Sequence, residues 1–325
     1  MGYWGPNLVR NFKAVPSCSV TAIADLDPAR VATIQHIYPA LRTFGSAEEM
    51  IQDDELDAVV LALPAQHIPD LAVLAVKSGK HVVVEKPMAH SLEEGTRMYE
   101  MAAESGLVTM VDFTFVYSPP VRYMKELVDS GRLGQPHYYQ SSRINLGRFQ
   151  PDIDVIWDLV AHDVAILLYL FDEDPESVTT TGRSQIVGRA DTAHVTLSYS
   201  EGFRAFIHVS WMAPTKVRLS LLSCRKGMVV YNDVEPDEKI RVCRIDEAFD
   251  PESESSLTPT FRLGDILIPS LPREEPLGNM AQSFMDAIET KSTPPTNWEF
   301  GSRVLRVLDA ARRSLDEQAP VALDS

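Results

Sequence analysis

Two periodicities divide the chain. Up to about residue 115, short apolar runs alternate with amphipathic stretches. Ser19 to Ala24, Ala58 to Leu63, Val82 to Val84 and Leu107 to Val111 read as strands, the Val run buried on both faces as in a parallel sheet. Asp27-Pro28 opens a helix as cap and first-turn proline. Leu71 to Lys77 is predicted helical and closed by Gly79, and a further helix is expected from about Leu92 to Glu104. Strands alternating with helices mean parallel βαβ units. After residue 115 the period changes. A helix over Val121 to Val128 ends at Gly131, and long alternating runs follow: His137–Leu146, Asp191–Ser200, Phe203–Trp211, Val217–Ser223 and Met228–Asn232. These predict an antiparallel sheet with one face covered, with a hairpin turn at Ser200-Glu201-Gly202. One helix, Trp157 to Phe171, interrupts the strands, and Asp246 to Pro276 reads as an irregular acidic loop. Two amphipathic helices close the chain, near Leu277–Thr290 and Gly301–Leu315. The expected architecture is a Rossmann-type α/β domain over residues 1–115 and an α+β domain with an open, mainly antiparallel sheet over 116–325.

The strand ends place the candidate chemistry. In an open α/β sheet, ligands sit outside the carboxyl ends of the strands. His81 to Val84 runs straight into Glu85-Lys86-Pro87, so Lys86 is set at a ligand-facing edge. A cation there can stabilise a developing alkoxide, and a surface Lys after a strand is the plainer alternative. Gly2 and Gly5, with Tyr3 and Trp4 between them, have the spacing of the last two glycines of a dinucleotide fingerprint, ahead of a helix opened by Pro6. The glycines would let backbone approach a pyrophosphate at the helix N-terminus. Asp25 ends the next strand at the distance expected of the acid that binds ribose hydroxyls. That acid favours NAD over NADP, while Arg30 leaves NADP open. No apolar run precedes Gly2, so the strand that ordinarily leads into such a turn is expected to be missing from the sheet.

In the second half, Asp158 and His162 stand four apart on one predicted helix face. They fit either an acid–base pair or a capping Asp beside a hydrogen-bonded His. Arg143 and Asn145 end the first strand of the second sheet, where they are candidate contacts to a polyol or phosphate. The remaining histidines show no metal spacing, and neither a nucleophile elbow nor a P-loop occurs.

Composition narrows the partners. A chain of 325 residues exceeds one ordinary core. Its net charge of −16 argues against nucleic acid or an anionic membrane. No apolar run is long enough to span a bilayer, and the first residues do not show the charged-then-apolar pattern expected of a signal peptide. Three Cys, Cys18, Cys224 and Cys243, fit reduced structural thiols and a cytoplasmic protein.

With the glycine turn, Glu85-Lys86-Pro87 and Asp158-x-x-x-His162 in this order, the chain resembles the glucose–fructose oxidoreductase / inositol dehydrogenase / rhizopine-catabolism (Gfo/Idh/MocA) family. The resemblance runs along essentially the whole sequence, through Gly131-Arg-Leu-Gly134 and Thr293-Pro294-Pro295. It implies NAD(P)-linked hydride transfer at a carbon of a sugar, nucleotide sugar or cyclitol. It implies Lys86, Asp158 and His162 as catalytic residues and a homodimer or homotetramer. It also implies Leu63, Pro64, His67 and Glu85 near the cofactor and a cis bond before Pro87. The family commonly has Thr-Pro-x-x-x-His where this chain has Leu63-Pro64-Ala65-Gln66-His67-Ile68. A non-catalytic NAD(P)-binding regulator and an NAD-assisted glycosidase on the same fold are the alternatives.

Overall fold

The computed structural model describes residues 1–147, 149, 153–186, 188–245 and 263–323. The chain forms two compact units, Met1–Ser118 with Glu274–Arg306, and Pro119–Arg273 with Val307–Ser325. The sequence-based division at 115/116 carries no sign of this return of 274–306 to the first unit.

The first unit begins with helix α1 (Gly5–Ala14), strand β1 (Ala22–Ala24), α2 (Pro28–Ile37), β2 (Arg42–Phe44) and α3 (Ala47–Ile51). It continues through β3 (Ala58–Leu61), α4 (Ile68–Lys77), β4 (His81–Glu85), α5 (Leu92–Ala103) and β5 (Thr109–Asp112). The caps are those that the residue types dictate. Asp27 accepts from the Ala29 amide at 2.9 Å, Ser46 from Glu49 and Ser91 from Glu94. Gly79, at φ 74°, turns the chain out of α4 into β4.

The parallel strands fall into two hydrogen-bonded groups, β1–β2 and β3–β4–β5. Among the described residues no strand joins them. Ile23 of β1 packs instead with Val9, Ile34 and Leu41, and Met1 lies against this cluster. In the other group Val82, Val83 and Val84 are wholly buried, as a strand with neighbours on both edges and cover on both faces must be.

The second unit holds α6 (Pro119–Asp129), β6 (Pro136–Leu146), a π-helical turn over Ile156–Val160 and α7 (Ala161–Phe171). Strands β7 (Ser177–Arg183), β8 (Thr192–Ser198), β9 (Arg204–Ser210), β10 (Met212–Cys224), β11 (Gly227–Asn232), β12 (Ile240–Ile245) and β13 (Leu263–Leu267) follow. The last elements are α8 (Pro276–Thr290), α9 (Trp298–Glu317) and β14 (Val321–Ala322). The sheet order is β13-β12-β11-β10-β6-β9-β8-β7-β14. Every pairing is antiparallel except β6 with β9, so the sheet is mixed. Tyr139, Ser141 and Arg143 of β6 point to the buried face under α7. The expected loop over 246–276 is corrected in part: residues 263–267 are a strand paired with β12, and 246–262 lie outside the described residues.

Helix α9 packs closely on the strand ends of the first unit. A Cβ built on Gly301 would meet Met88 Sδ at 2.4 Å and Val111 Cγ2 at 2.8 Å. The Met side chain can move, but Val111 is buried next to the end of β5 and cannot. Replacing a helical Gly with Ala ordinarily gains about 1 kcal/mol. Overpacking a core costs roughly 1–3 kcal/mol. Gly301→Ala is therefore expected to lower the urea midpoint; a raised midpoint would show that the contact relaxes freely.

Candidate active site

Lys86 leaves the carboxyl end of β4, and the Lys86–Pro87 peptide bond is cis. Beneath it, Glu85 of β4 is in register with Asp112 of β5. Both carboxyl groups are buried, with Glu85 9% and Asp112 3% exposed. Asp112 Oδ1 accepts from Thr114 Oγ1 at 2.7 Å, and Glu85 Oε2 accepts from the Lys86 amide at 3.3 Å. Burial pushes the Glu85 carboxyl up to about 8, and the neighbouring Asp112 charge adds to the rise. Burial also lifts Asp112, to about 6, against the Thr114 hydrogen bond and the pull of Lys86. The side chain of Glu85 thus points into the protein, toward Asp112. Asp112 and Thr114 are absent from the sequence-derived residue set. The signal was present, because β5 ends in an acid after an apolar run just as β4 does.

The dinucleotide candidates lie at the other strand ends and at the start of α1. Tyr3 and Trp4 are exposed and pack edge to face. Gly2 is open: a Cβ there would approach only the end of Arg30, at 3.9 Å. Asp25 follows β1 and is half-buried. Burial alone would raise its pKa. The N-terminal ammonium, the Asp27 amide and Arg30 outweigh burial and hold it low. Its Oδ2 pairs with that ammonium, and its Oδ1 accepts from Asp27 N at 2.8 Å. Leu63 and Pro64 follow β3, and His67, exposed, hydrogen-bonds Gln66 at 3.0 Å. An open glycine turn at a helix start, with an acid at the next strand end, fits a dinucleotide.

In the second unit the expected plain helix from Trp157 is corrected. Residues 156–160 are π-helical, and α7 starts at Ala161. Asp158 sits in the middle of the π turn, and π turns occur often at functional sites. Asp158 Oδ2 accepts from Trp211 Nε1 at 3.0 Å. Trp211 is itself clamped: its carbonyl takes the Gly147 amide, its amide reaches Asp191, and a Cβ on Gly147 would stand 2.5 Å from its ring. No sequence signal ties Trp211 to Asp158, since 53 positions separate them. His162 is half-buried in the first turn of α7.

Arg143, expected at the substrate, lies on the covered face of β6. It is 4% exposed, and its Nε donates to Asp163 Oδ2 at 3.1 Å, with Asp163 fully buried. Tyr139 OH donates to the other Asp163 oxygen at 2.9 Å and lies 3.0 Å from Ser220 Oγ. Burial would lower the Arg143 pKa, but Asp163 raises it, so the guanidinium stays charged in the interior. The alternation of β6 puts Arg143 on the covered face. Asn145 keeps the same parity but is half-exposed at the strand end.

Residues 1–113 match the model of an oxidoreductase family with an NAD-binding Rossmann fold, and residues 121–230 match the GFO/IDH/MocA C-terminal domain. The chain belongs to the Gfo/Idh/MocA oxidoreductase family. Among its relatives, myo-inositol 2-dehydrogenase of Thermotoga maritima is 24% identical over all of this chain and 97% of its own length. UDP-N-acetylglucosamine 3-dehydrogenase of Acidithiobacillus ferrooxidans is 30% identical over half of each chain. The fold is that of levoglucosan dehydrogenase solved with NADH and levoglucosan, with TM-score 0.86, 20% identity and coverage of 100% of this chain and 97% of that one.

Asp163→Ala should cost about 3–5 kcal/mol by urea unfolding, because it removes the carboxylate that faces a buried guanidinium. The joint change Arg143→Met with Asp163→Leu should cost less. A loss below about 1 kcal/mol for Asp163→Ala would contradict this role.

Proposed function

We propose that the protein is an NAD(P)-dependent dehydrogenase or reductase acting on a CH–OH carbon of a sugar, nucleotide sugar or cyclitol. The observation that carries the reading is the match of both halves to this oxidoreductase family in a chain that keeps Lys86, Asp158 and His162. The names of the relatives support the substrate class, since they include an inositol and a nucleotide-sugar dehydrogenase.

NAD, when bound, supplies the hydride acceptor, and Gly2, Tyr3, Trp4, Asp25, Leu63, Pro64 and His67 are the residues proposed to hold it. The rest of the chemistry belongs to side chains. His162 takes the proton of the substrate hydroxyl as its carbon is oxidised. Lys86 brings its ammonium to the developing alkoxide. Asp158, its Oδ2 fixed by the Trp211 indole, orients the hydroxyl or the imidazole. Asn145 remains a candidate substrate contact. Catalysis then rests on position and electrostatics, with the redox chemistry left to the cofactor.

The departure of Leu63-Pro64-Ala65-Gln66-His67-Ile68 from the usual Thr-Pro-x-x-x-His favours a second reading, a nucleotide-binding regulator without turnover. A screen of sugars, cyclitols and nucleotide sugars for cofactor reduction separates the two. Robust turnover eliminates the regulator, and sugar release without net reduction would indicate the glycosidase. In the active enzyme, His162→Ala should cut turnover about 10²-fold or more with cofactor binding retained. Unchanged turnover would remove His162 from the mechanism. Titration with NADH and NADPH, read by energy transfer from tryptophan to nicotinamide, should show NADH bound more tightly, and Asp25→Ala should narrow that preference.

The partners proposed include a second copy of the chain. The face of the nine-stranded sheet opposite α7 carries Ile144, Leu219, Leu221 and Val230, with Phe206 44% exposed. This supports a homodimer or homotetramer assembled through the sheet. Light scattering should give a mass of two or four chains, and Phe206→Asp should lower it; a monomeric mass at micromolar concentration would count against assembly. Among the described residues no helix is long and apolar enough to cross a membrane. The free thiols of Cys18, Cys224 and Cys243 support a reducing, cytoplasmic location.

A further inference from the structure

The carboxyl pair under Lys86 lies outside the roles assigned above. Glu85 and Asp112 are opposed across the β4–β5 ladder, and both are buried. Neighbouring parallel strands run about 4.8 Å apart and their registered side chains leave the same face, so two ionised groups here would stand side by side away from water. Lys86 is the cation facing them, and it offsets one charge. Tyr117, buried after β5, is the other titratable group that feels Asp112. Its hydroxyl is held by Thr296 at 2.7 Å, and burial keeps it protonated. Among the described residues, Lys86 is the one cation that acts on the pKa of either carboxyl group.

The hydrogen bonds are unequal. Asp112 accepts the Thr114 hydroxyl, which suits an ionised carboxylate. Glu85 Oε1 is buried and has no hydrogen-bond partner among the described residues, which suits a carboxyl that carries a proton. We propose that Glu85 and Asp112 share a single proton beneath Lys86, so that the strand ends present one negative charge to one ammonium. Both are positioning residues, acting on the reaction only through Lys86. Two carboxylates would hold the ammonium down and away from an alkoxide, and one weakens that pull while still directing it. This role rests on the catalytic reading of Lys86; the shared proton itself does not.

Carboxyl-carbon NMR of the full, ligand-free chain tests the proton directly. In the wild type, one signal that vanishes in Glu85→Gln should titrate above pH 7. In Asp112→Asn that signal should move to lower pH by at least one unit, because its like-charged neighbour is gone. Two signals titrating in the ordinary carboxylate range, or a Glu85 titration unmoved in Asp112→Asn, would overturn the proposal. Stability gives a second readout. A raised Glu85 pKa means that the folded state holds a proton which the unfolded chain releases, so stability present below about pH 4.5 should fall as pH rises to about 8. Asp112→Asn should shrink that fall, and Thr114→Val, which removes the donor to Asp112, serves if Asp112→Asn does not fold. It should shift the lower titration of the pair upward; an unmoved pair would count against the unequal sharing. In the active enzyme, the pH profile of kcat/KM should lose a limb near pH 8 in Asp112→Asn, a change that a packing defect would not produce. Failure to find any turnover would sink the function proposed above and leave the NMR result standing.

Discussion

The first unit depends on the burial of β4. Val82, Val83 and Val84 have no exposed surface, and each such side chain is worth roughly 1.5–3 kcal/mol of apolar burial. A strand buried on both faces has no solvent side to receive polar residues, so polar chemistry is confined to its ends. At the entry, Lys80 is buried and its Nζ donates to the carbonyls of Asp53 and Leu56 at 2.8 and 2.7 Å. At the exit come Glu85 and Lys86. The same burial that makes the strand a stable support also strips water from Glu85 and Asp112. Their raised pKa values therefore follow from the architecture.

Much of this was legible in the sequence because it depends on local pattern. The Val run, the Asp27 cap before Pro28 and the glycine after α4 each act within a few residues. The position of Lys86 at a strand end follows from the same pattern. Elements that owe their structure to distant partners were not legible. β2, β7, β12 and β13 are short or weakly alternating and become strands by pairing with stronger neighbours. The π-helical turn around Asp158 likewise has no spacing of its own to distinguish it from α-helix.

The site residues divide in the same way. Lys86, Asp158 and His162 could be named because family motifs carry them. The pairing of Arg143 with Asp163 was not legible, because it depends on the parity of β6, which turns Arg143 toward α7. A buried Arg–Asp pair is weak support for stability in itself, since hydrophobic replacements are often as good. Its effect here is directional. With Tyr139 and Ser220 it ties the first turns of α7 to β6 and β10, and that fixes the rotation of the helix that carries His162.

The two units solve one problem by opposite means. A catalytic side chain must be accessible enough to meet substrate and rigid enough to be found in one place. In the second unit rigidity comes from directed hydrogen bonds: Trp211 holds Asp158, and Gly147, having no Cβ, lets the Trp211 ring close on the backbone. In the first unit Lys86 rises from a floor of two carboxyl groups whose charge varies with pH. Any pH dependence in how Lys86, the proposed catalytic cation, is held should therefore enter through β4 and β5.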